Sequence, residues 1–117
     1  MKSVLFLVRS APYGSAAIPE SVRACLGFGT MPMDVNYVLM DDAAWALTPN
    51  QRPEAIDASP VQQVLAALAD LDVNLFVDSQ ALEERGLCLE GLPAHFTPAS
   101  HERIADLIAG ADAVLTY

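Results

Sequence analysis

Short apolar runs that are nearly continuous constrain the fold of this chain more than any other feature. The first lies in residues 2–9, where Val4 to Val8 are five apolar residues in succession, and a helical stripe formed by Ile18, Val22, Cys25 and Leu26 follows it. Continuous apolar strands are typical of parallel sheets that helices cover on both faces, because neither face meets water. The pattern predicts a three-layer α/β fold with a mostly parallel sheet and right-handed crossovers.

Five strands and their connecting helices can be placed along the chain. Strands are predicted at residues 2–9, 35–40, 73–77, 94–96 and 113–117. Helices are predicted from Ile18 to Gly27 and Gly29, from the capping box that starts at Ser59-Pro60, over residues 81–85, and from Thr97-Pro98 to Gly110, with a short helical piece at residues 43–47. The alternation of strand and helix predicts a five-stranded sheet.

Size, charge and cysteine spacing exclude several classes of protein. The 117 residues, 53% of them hydrophobic, fit one domain spanning residues 1–117, and no segment is long enough to cross a membrane. A net charge of -9, one lysine and scattered arginines disfavour direct binding of nucleic acid. The first apolar run is too short for a secretory signal, and Cys25 and Cys88 lack the spacing of a metal or redox pair. We therefore expect a cytoplasmic protein without a metal or cofactor.

Polar side chains follow three of the predicted strands. They are Ser10, Tyr13 and Gly14 after the first strand, Asp41 and Asp42 after the second, and Asp78 and Ser79 after the third. Because the carboxyl ends of parallel strands meet at one edge of the sheet, these residues are candidates for a crevice or an interface. The alternative is local: the acids cap helices or stabilise first turns, and the segment around Pro12 and Gly14 only reverses the chain.

The two cysteines and two histidines give a weaker signal. Cys25 belongs to the apolar stripe of the first helix and is predicted to be a core residue. Cys88 follows Gly86 in an irregular segment, so it is the one candidate for a catalytic thiol, with a packed and inert thiol as the alternative. His95 and His101 are predicted on different elements, where structural or solvated roles suffice for both.

Apolar side chains in or beside the loops suggest contact between subunits. They are Tyr13, Phe28, Met31, Met33 and Trp45. An apolar surface at these places favours a lasting subunit interface. The alternative is that these side chains cover the ends of the core.

Three segments carry a resemblance to a known family. They are the turn Pro12-Tyr13-Gly14-Ser15-Ala16-Ala17, the pair Asp41-Asp42, and residues 77–87, which end in Leu82-Glu83-Glu84-Arg85-Gly86-Leu87. Together with the order of elements they resemble the DsrE/DsrF-like sulfur-relay family, and within it the TusC/DsrF-type subunit. The resemblance spans essentially the whole chain.

The resemblance implies a subunit of a larger assembly. Relatives form homo-trimers or hetero-hexamers of the TusBCD/DsrEFH type, in which one homologous small α/β subunit carries persulfide sulfur on a cysteine just after the strand equivalent to residues 75–77. This chain has Asp78 and Ser79 there. The resemblance therefore implies a structural or docking subunit that is not catalytic alone, in a complex supporting tRNA 2-thiouridine formation or sulfur oxidation.

Two alternatives remain open from the sequence. One is a stand-alone sulfurtransferase that uses Cys88. The other is a homo-oligomer that binds a small ligand in the crevice of Ser10, Asp41 and Asp78, although the turn after the first strand matches no phosphate-binding motif. An acid at position 78 would itself raise the pKa of a cysteine brought close to it, unless a cation or a helix N-terminus intervened.

Overall fold

A computed structural model describes residues 2–48, 51–56, 60–87 and 95–117, and these residues contain a five-stranded sheet. The strands are β1 (Ser3–Val8), β2 (Asp34–Leu39), β3 (Val73–Asp78), β4 (Thr97–Ala99) and β5 (Ala113–Thr116). They are arranged in the order β4-β3-β2-β1-β5, and every pairing is parallel. The predicted three-layer α/β fold with a parallel sheet is confirmed.

Helices connect the strands. The α-helices are α1 (Ala17–Gly29), α2 (Val61–Ala69), α3 (Ser79–Glu84) and α4 (His101–Gly110), and two 3-10 helices, Asp41–Leu47 and Pro53–Ile56, lie between β2 and α2. No helix among the described residues is long and apolar enough to span a membrane. The central position of β1 and β2 follows from their sequences, since apolar strands are stable where both faces are covered.

The larger part of the core lies between the sheet, α1 and α2. Phe6 of β1 is fully buried there, and its ring centroid lies 5.9 Å from that of Phe28 and 6.2 Å from those of Tyr37 and Tyr117. The buried hydroxyl of Tyr37 is 2.8 Å from Ser21 Oγ, which donates a hydrogen bond to the carbonyl of Ile18. The polar atoms in this core are therefore satisfied, as burial requires.

Helix α4 covers the opposite face of the sheet. Ile104 packs there with a second group of buried side chains, Leu5, Leu7, Val38 and Ala99. The alternation of side chains along β1 explains the two cores, because Val4, Phe6 and Val8 point to one face and Leu5 and Leu7 to the other. Helices thus cover both faces, as predicted.

The prediction that a helix starts at Thr97-Pro98 is wrong. Thr97–Ala99 form β4, which pairs with β3, and α4 begins at His101 with Ser100 as its N-cap. Ser100 Oγ accepts a hydrogen bond of 3.1 Å from the amide of Arg103. Proline is tolerated in β4 because this strand lies at the sheet edge. The strand predicted at residues 94–96 is thus displaced to 97–99, and Ala94 lies outside the described residues.

Smaller differences concern the ends of elements. Helix α1 continues through Gly27 and ends at Gly29, and α3 begins at Ser79, two residues earlier than predicted. Pro60 occupies the N-cap position of α2, one residue before the predicted place, and Ser59 of the predicted capping box lies outside the described residues. None of these shifts changes the order of the strands in the sheet. Helix ends fray, so their bounds are defined only to within one or two residues.

Candidate functional site

The predicted crevice residues lie at the carboxyl edge of the sheet but do not form one cluster. Among the described residues, no side-chain hydrogen bond joins any two of the seven. Tyr13, Asp41, Asp42 and Asp78 each bind a different partner, and the contacts that the structure describes give Ser10 and Ser79 no side-chain hydrogen bond. The edge is therefore divided into separate sites.

Asp78 is the most enclosed of these polar side chains. Its side chain is only 4% exposed, at the last position of β3. Oδ1 accepts a hydrogen bond of 3.1 Å from the amide of Gln80, so Asp78 caps α3 as the local alternative predicted. Oδ2 lies 3.0 Å from Nε2 of His101. The carboxylate thus has one partner on each of two helices.

A groove of about 480 Å³ opens beside this pair. It is lined by Ser79, Gln80, Glu83, Glu84, Ser100 and His101. Glu84 Oε1 accepts a hydrogen bond of 2.8 Å from the side-chain Nε2 of Gln80, and the side chain of His101 is 56% exposed. The groove is therefore polar and acidic, and one imidazole stands between it and a buried carboxylate.

His101 is the site residue that the sequence analysis missed. His95 lies in a turn before β4 and not in the predicted strand, whereas His101 begins α4 and contacts Asp78. The sequence signal for His101 is its position directly after a strand, and the helix start predicted at Thr97-Pro98 obscures that signal. Once β4 is placed beside β3, its last residue Ala99 is in register with Asp78. The chain then brings His101 to the same edge.

Asp41 and Asp42 form ion pairs with arginines. Asp41 Oδ2 lies 2.8 Å from Nε of Arg9, and Asp42 Oδ1 lies 2.9 Å from Nη2 of Arg85. Both acids begin the 3-10 helix after β2, in agreement with their prediction as first-turn acids. The exposed Arg9–Asp41 pair contributes about 0–1 kcal/mol and joins the segments after β1 and β2. The Arg85 side chain is less exposed, and its pair with Asp42 joins the end of α3 to the 3-10 helix after β2.

Tyr13 belongs to a separate pocket. Its hydroxyl donates to Gln51 Oε1 at 2.8 Å and accepts from the amide of Val61 at 3.2 Å. Gly14, with a φ of +95°, makes the adjacent turn, where a residue with a side chain would be strained. This pocket, of about 260 Å³, also contains the exposed Trp45 and the side chain of Arg52.

The apolar loop residues divide into two groups. Tyr13, Phe28 and Met33 are partly buried and pack against the core, as the second of the two explanations predicted. Met31 and Trp45 remain exposed. Of the five loop residues predicted to suggest subunit contact, these two keep apolar surface that a partner could cover.

Of the two cysteines, Cys25 lies among the described residues. Cys25 is fully buried in α1, and its burial raises the pKa of the thiol to about 12. Cys88 lies outside the described residues. Within the described ranges, no group of three or more acidic, histidine or cysteine side chains is arranged to hold a metal ion.

We predict that Cys25 resists alkylation in the folded protein. At pH 8 a pKa of about 12 leaves roughly a thousandth of the thiolate that an ordinary cysteine has, and burial also blocks the reagent. Peptide mass spectrometry after brief treatment with iodoacetamide should find Cys25 unmodified in native protein and fully modified in guanidinium chloride. Rapid modification of native Cys25 would show that α1 opens and would contradict the prediction.

Comparison with known proteins gives consistent matches over the chain. The model of the DsrE/DsrF-like family matches residues 2–117. The chain is 29% identical to a "Protein TusC homolog" of Pseudomonas aeruginosa, with 98% of each chain covered. It is 30% identical to "Intracellular sulfur oxidation protein DsrF" of Allochromatium vinosum, with 79% of this chain and 68% of that protein covered. The crystal structure of the ychN protein from E. coli covers all of both chains, with a TM-score of 0.86 and 26% identity.

Proposed function

Because the chain belongs to the DsrE/DsrF-like family, we propose that it is a TusC/DsrF-type subunit of a cytoplasmic sulfur-relay complex. In this role it carries no sulfur itself. It assembles with homologous small α/β subunits, one of which bears the reactive cysteine. The similarity to proteins named TusC and DsrF over most of the chain supports this role.

The end of β3 carries the proposal. Sulfur carriers need a thiolate that attacks the outer sulfur of a donor, and neither a carboxylate nor a hydroxyl does this. Here the strand ends at Asp78, which is buried, caps α3 and contacts His101. Cys25, the thiol that the described residues contain, is enclosed in the core. The described part of the chain thus presents no accessible thiol at this edge.

The proposed assembly is a hetero-hexamer of the TusBCD/DsrEFH type, with a homo-trimer as the alternative. Exposed Met31 and Trp45 support a subunit interface because large apolar side chains are enriched at such contacts. The charge of -9 supports the proposal that this chain does not itself bind the transfer RNA. The acceptor, in tRNA thiolation or in sulfur oxidation, would be reached through the partners.

Co-expression with cysteine-bearing homologues, followed by native mass spectrometry, tests this function. We expect a stable complex that contains this chain, and we expect persulfide mass on the partner's cysteine after incubation with a sulfur donor. This chain should gain no sulfur, and Cys88→Ser should leave transfer unchanged. If this chain stays monomeric with every cysteine-bearing homologue tested, the subunit role is refuted. Sulfur bound at Cys88 would instead establish the stand-alone sulfurtransferase.

A further inference from the structure

The contact between Asp78 and His101 joins the end of β3 to the start of α4 and holds a partly exposed imidazole beside a groove. We propose that His101, held by Asp78, exchanges a proton with the thiol of a partner subunit that enters the groove of Ser79, Gln80, Glu83, Glu84, Ser100 and His101. This inference rests on the proposed function and names the contribution that this chain makes to it. The imidazole would serve in trans, since the described part of this chain places no thiol in the groove.

The ring is fixed in a defined orientation. Nε2 lies 3.0 Å from Asp78 Oδ2, whereas the contacts of the described residues give Nδ1 no hydrogen bond. In the neutral ring, a hydrogen on Nε2 that points at a carboxylate leaves the lone pair on Nδ1. The side chain is 56% exposed and lines the groove. One nitrogen is therefore held by the protein and the other is available to a ligand.

Two rigid elements support this arrangement. Asp78 is held at the end of β3 by its burial and by the hydrogen bond from the Gln80 amide. His101 is the first residue of α4, whose start is capped by Ser100 and whose next turn is anchored in the core by Ile104. A side chain positioned from two packed elements loses little freedom when a partner binds, which is what preorganised sites require.

The negative charges around the groove disfavour a thiolate there, and a protonated imidazole would offset them. Glu83 and Glu84 line the groove and the buried Asp78 contacts its lining residue His101, and carboxylates near a thiol disfavour its ionised form. His101 lies between Asp78 and the groove, so a proton accepted by the ring places a positive charge next to the entering sulfur. The carboxylate of Asp78 balances that charge. The protonated ring of His101 would thus be the cation that offsets the effect of Asp78 on the pKa of the partner's cysteine.

The proposed step is a proton transfer that needs no oxidant. The S–H bond of the partner's cysteine breaks, a new N–H bond forms at Nδ1, and a thiolate remains beside an imidazolium. The thiolate attacks the outer sulfur of a donor persulfide, whose S–S bond breaks to release the donor as a thiolate. That thiolate takes the proton from Nδ1, which restores the neutral ring.

The geometry can be tested on the isolated chain by ¹⁵N NMR of the imidazoles. At pH 8.5 we expect His101 to hold its hydrogen on Nε2, and Asp78→Asn to shift the ring toward a mixture of both tautomers. His95, whose side chain is exposed outside the groove, provides the internal control. A His101 ring that averages its tautomers as His95 does would overturn the inference.

The function of the ring is tested in the assembled complex with His101→Asn, and His95→Asn is the matched control. We expect both complexes to assemble, but only His101→Asn to slow alkylation of the partner's cysteine and single-turnover sulfur transfer, by at least about tenfold, since general acid–base catalysis contributes about 10²–10⁴-fold. Asp78→Asn, which keeps the shape of the side chain, should give a smaller loss.

The outcomes separate the two proposals. If the wild-type chain assembles with no partner, the proposed function fails and this inference fails with it. If the His101→Asn complex assembles and reacts at the wild-type rate, only this inference fails. A His101→Asn chain that folds but no longer assembles would make His101 a docking contact, and that result would also overturn a role in proton exchange.

Discussion

Replacing Phe6 with alanine should lower the free energy of unfolding by about 3–5 kcal/mol, as expected for a fully buried aromatic side chain. Phe6 lies on the interior strand β1, and its ring has the rings of Phe28, Tyr37 and Tyr117 as neighbours at 5.9 to 6.2 Å. Alanine would leave a cavity. The three neighbouring rings belong to α1, to β2 and to the residue after β5, so they cannot all move inward to fill it. Urea unfolding followed by circular dichroism measures the loss.

Val114→Ala on the adjacent strand β5 is the control for this prediction. Val114 is 39% exposed and pairs with Leu5, so its truncation removes apolar contact without opening an enclosed cavity. We expect a loss of about 1 kcal/mol or less. Equal losses for the two variants would mean that the core around Phe6 is not the main source of stability in the sheet.

Ile104→Ala should cost about 2–5 kcal/mol, the range for deleting a buried aliphatic side chain. Ile104 is 2% exposed and anchors α4 to Leu5, Leu7 and Val38 on the second face of the sheet. Because α4 begins with His101, a loosened helix should also weaken the contact with Asp78. The same urea titration gives the stability, and imidazole NMR reports whether His101 keeps its tautomer.

Ile108 offers a control on the same helix. It lies one turn beyond Ile104 and is 42% exposed, so Ile108→Ala makes the same chemical change at a position that the sheet does not enclose. The free energy of unfolding should change by no more than about 0.5 kcal/mol, and the tautomer of His101 should be preserved. A cost comparable to that of Ile104→Ala would show that Ile108 is covered, for example by a second subunit, and measurement at several protein concentrations would reveal it.

Local sequence patterns predicted most of the fold because burial of apolar runs and helical spacing depend on residues that are close in the sequence. The run Val4 to Val8 is buried as expected, and Ile18, Val22 and Cys25 of α1 point into the core. The prediction failed at Thr97-Pro98, where a signal typical of a helix start competed with strand pairing. The pairing of Phe76 with Thr97 prevails, and α4 begins only at His101, after the N-cap Ser100. Such a pairing joins residues far apart in the sequence, such as Val77 and Pro98, and no local pattern spans that separation.

The amino-acid sequence by itself determined the parallel α/β fold, the family, and the absence of a cysteine directly after β3. It also predicted that Asp78 caps a helix, since a cap and its amide are two residues apart. Only the tertiary structure decided that Asp78 meets His101, 23 residues further along the chain. The reason is that β3 and β4 are neighbours in a parallel sheet, and parallel strands bring whatever follows them to the same edge.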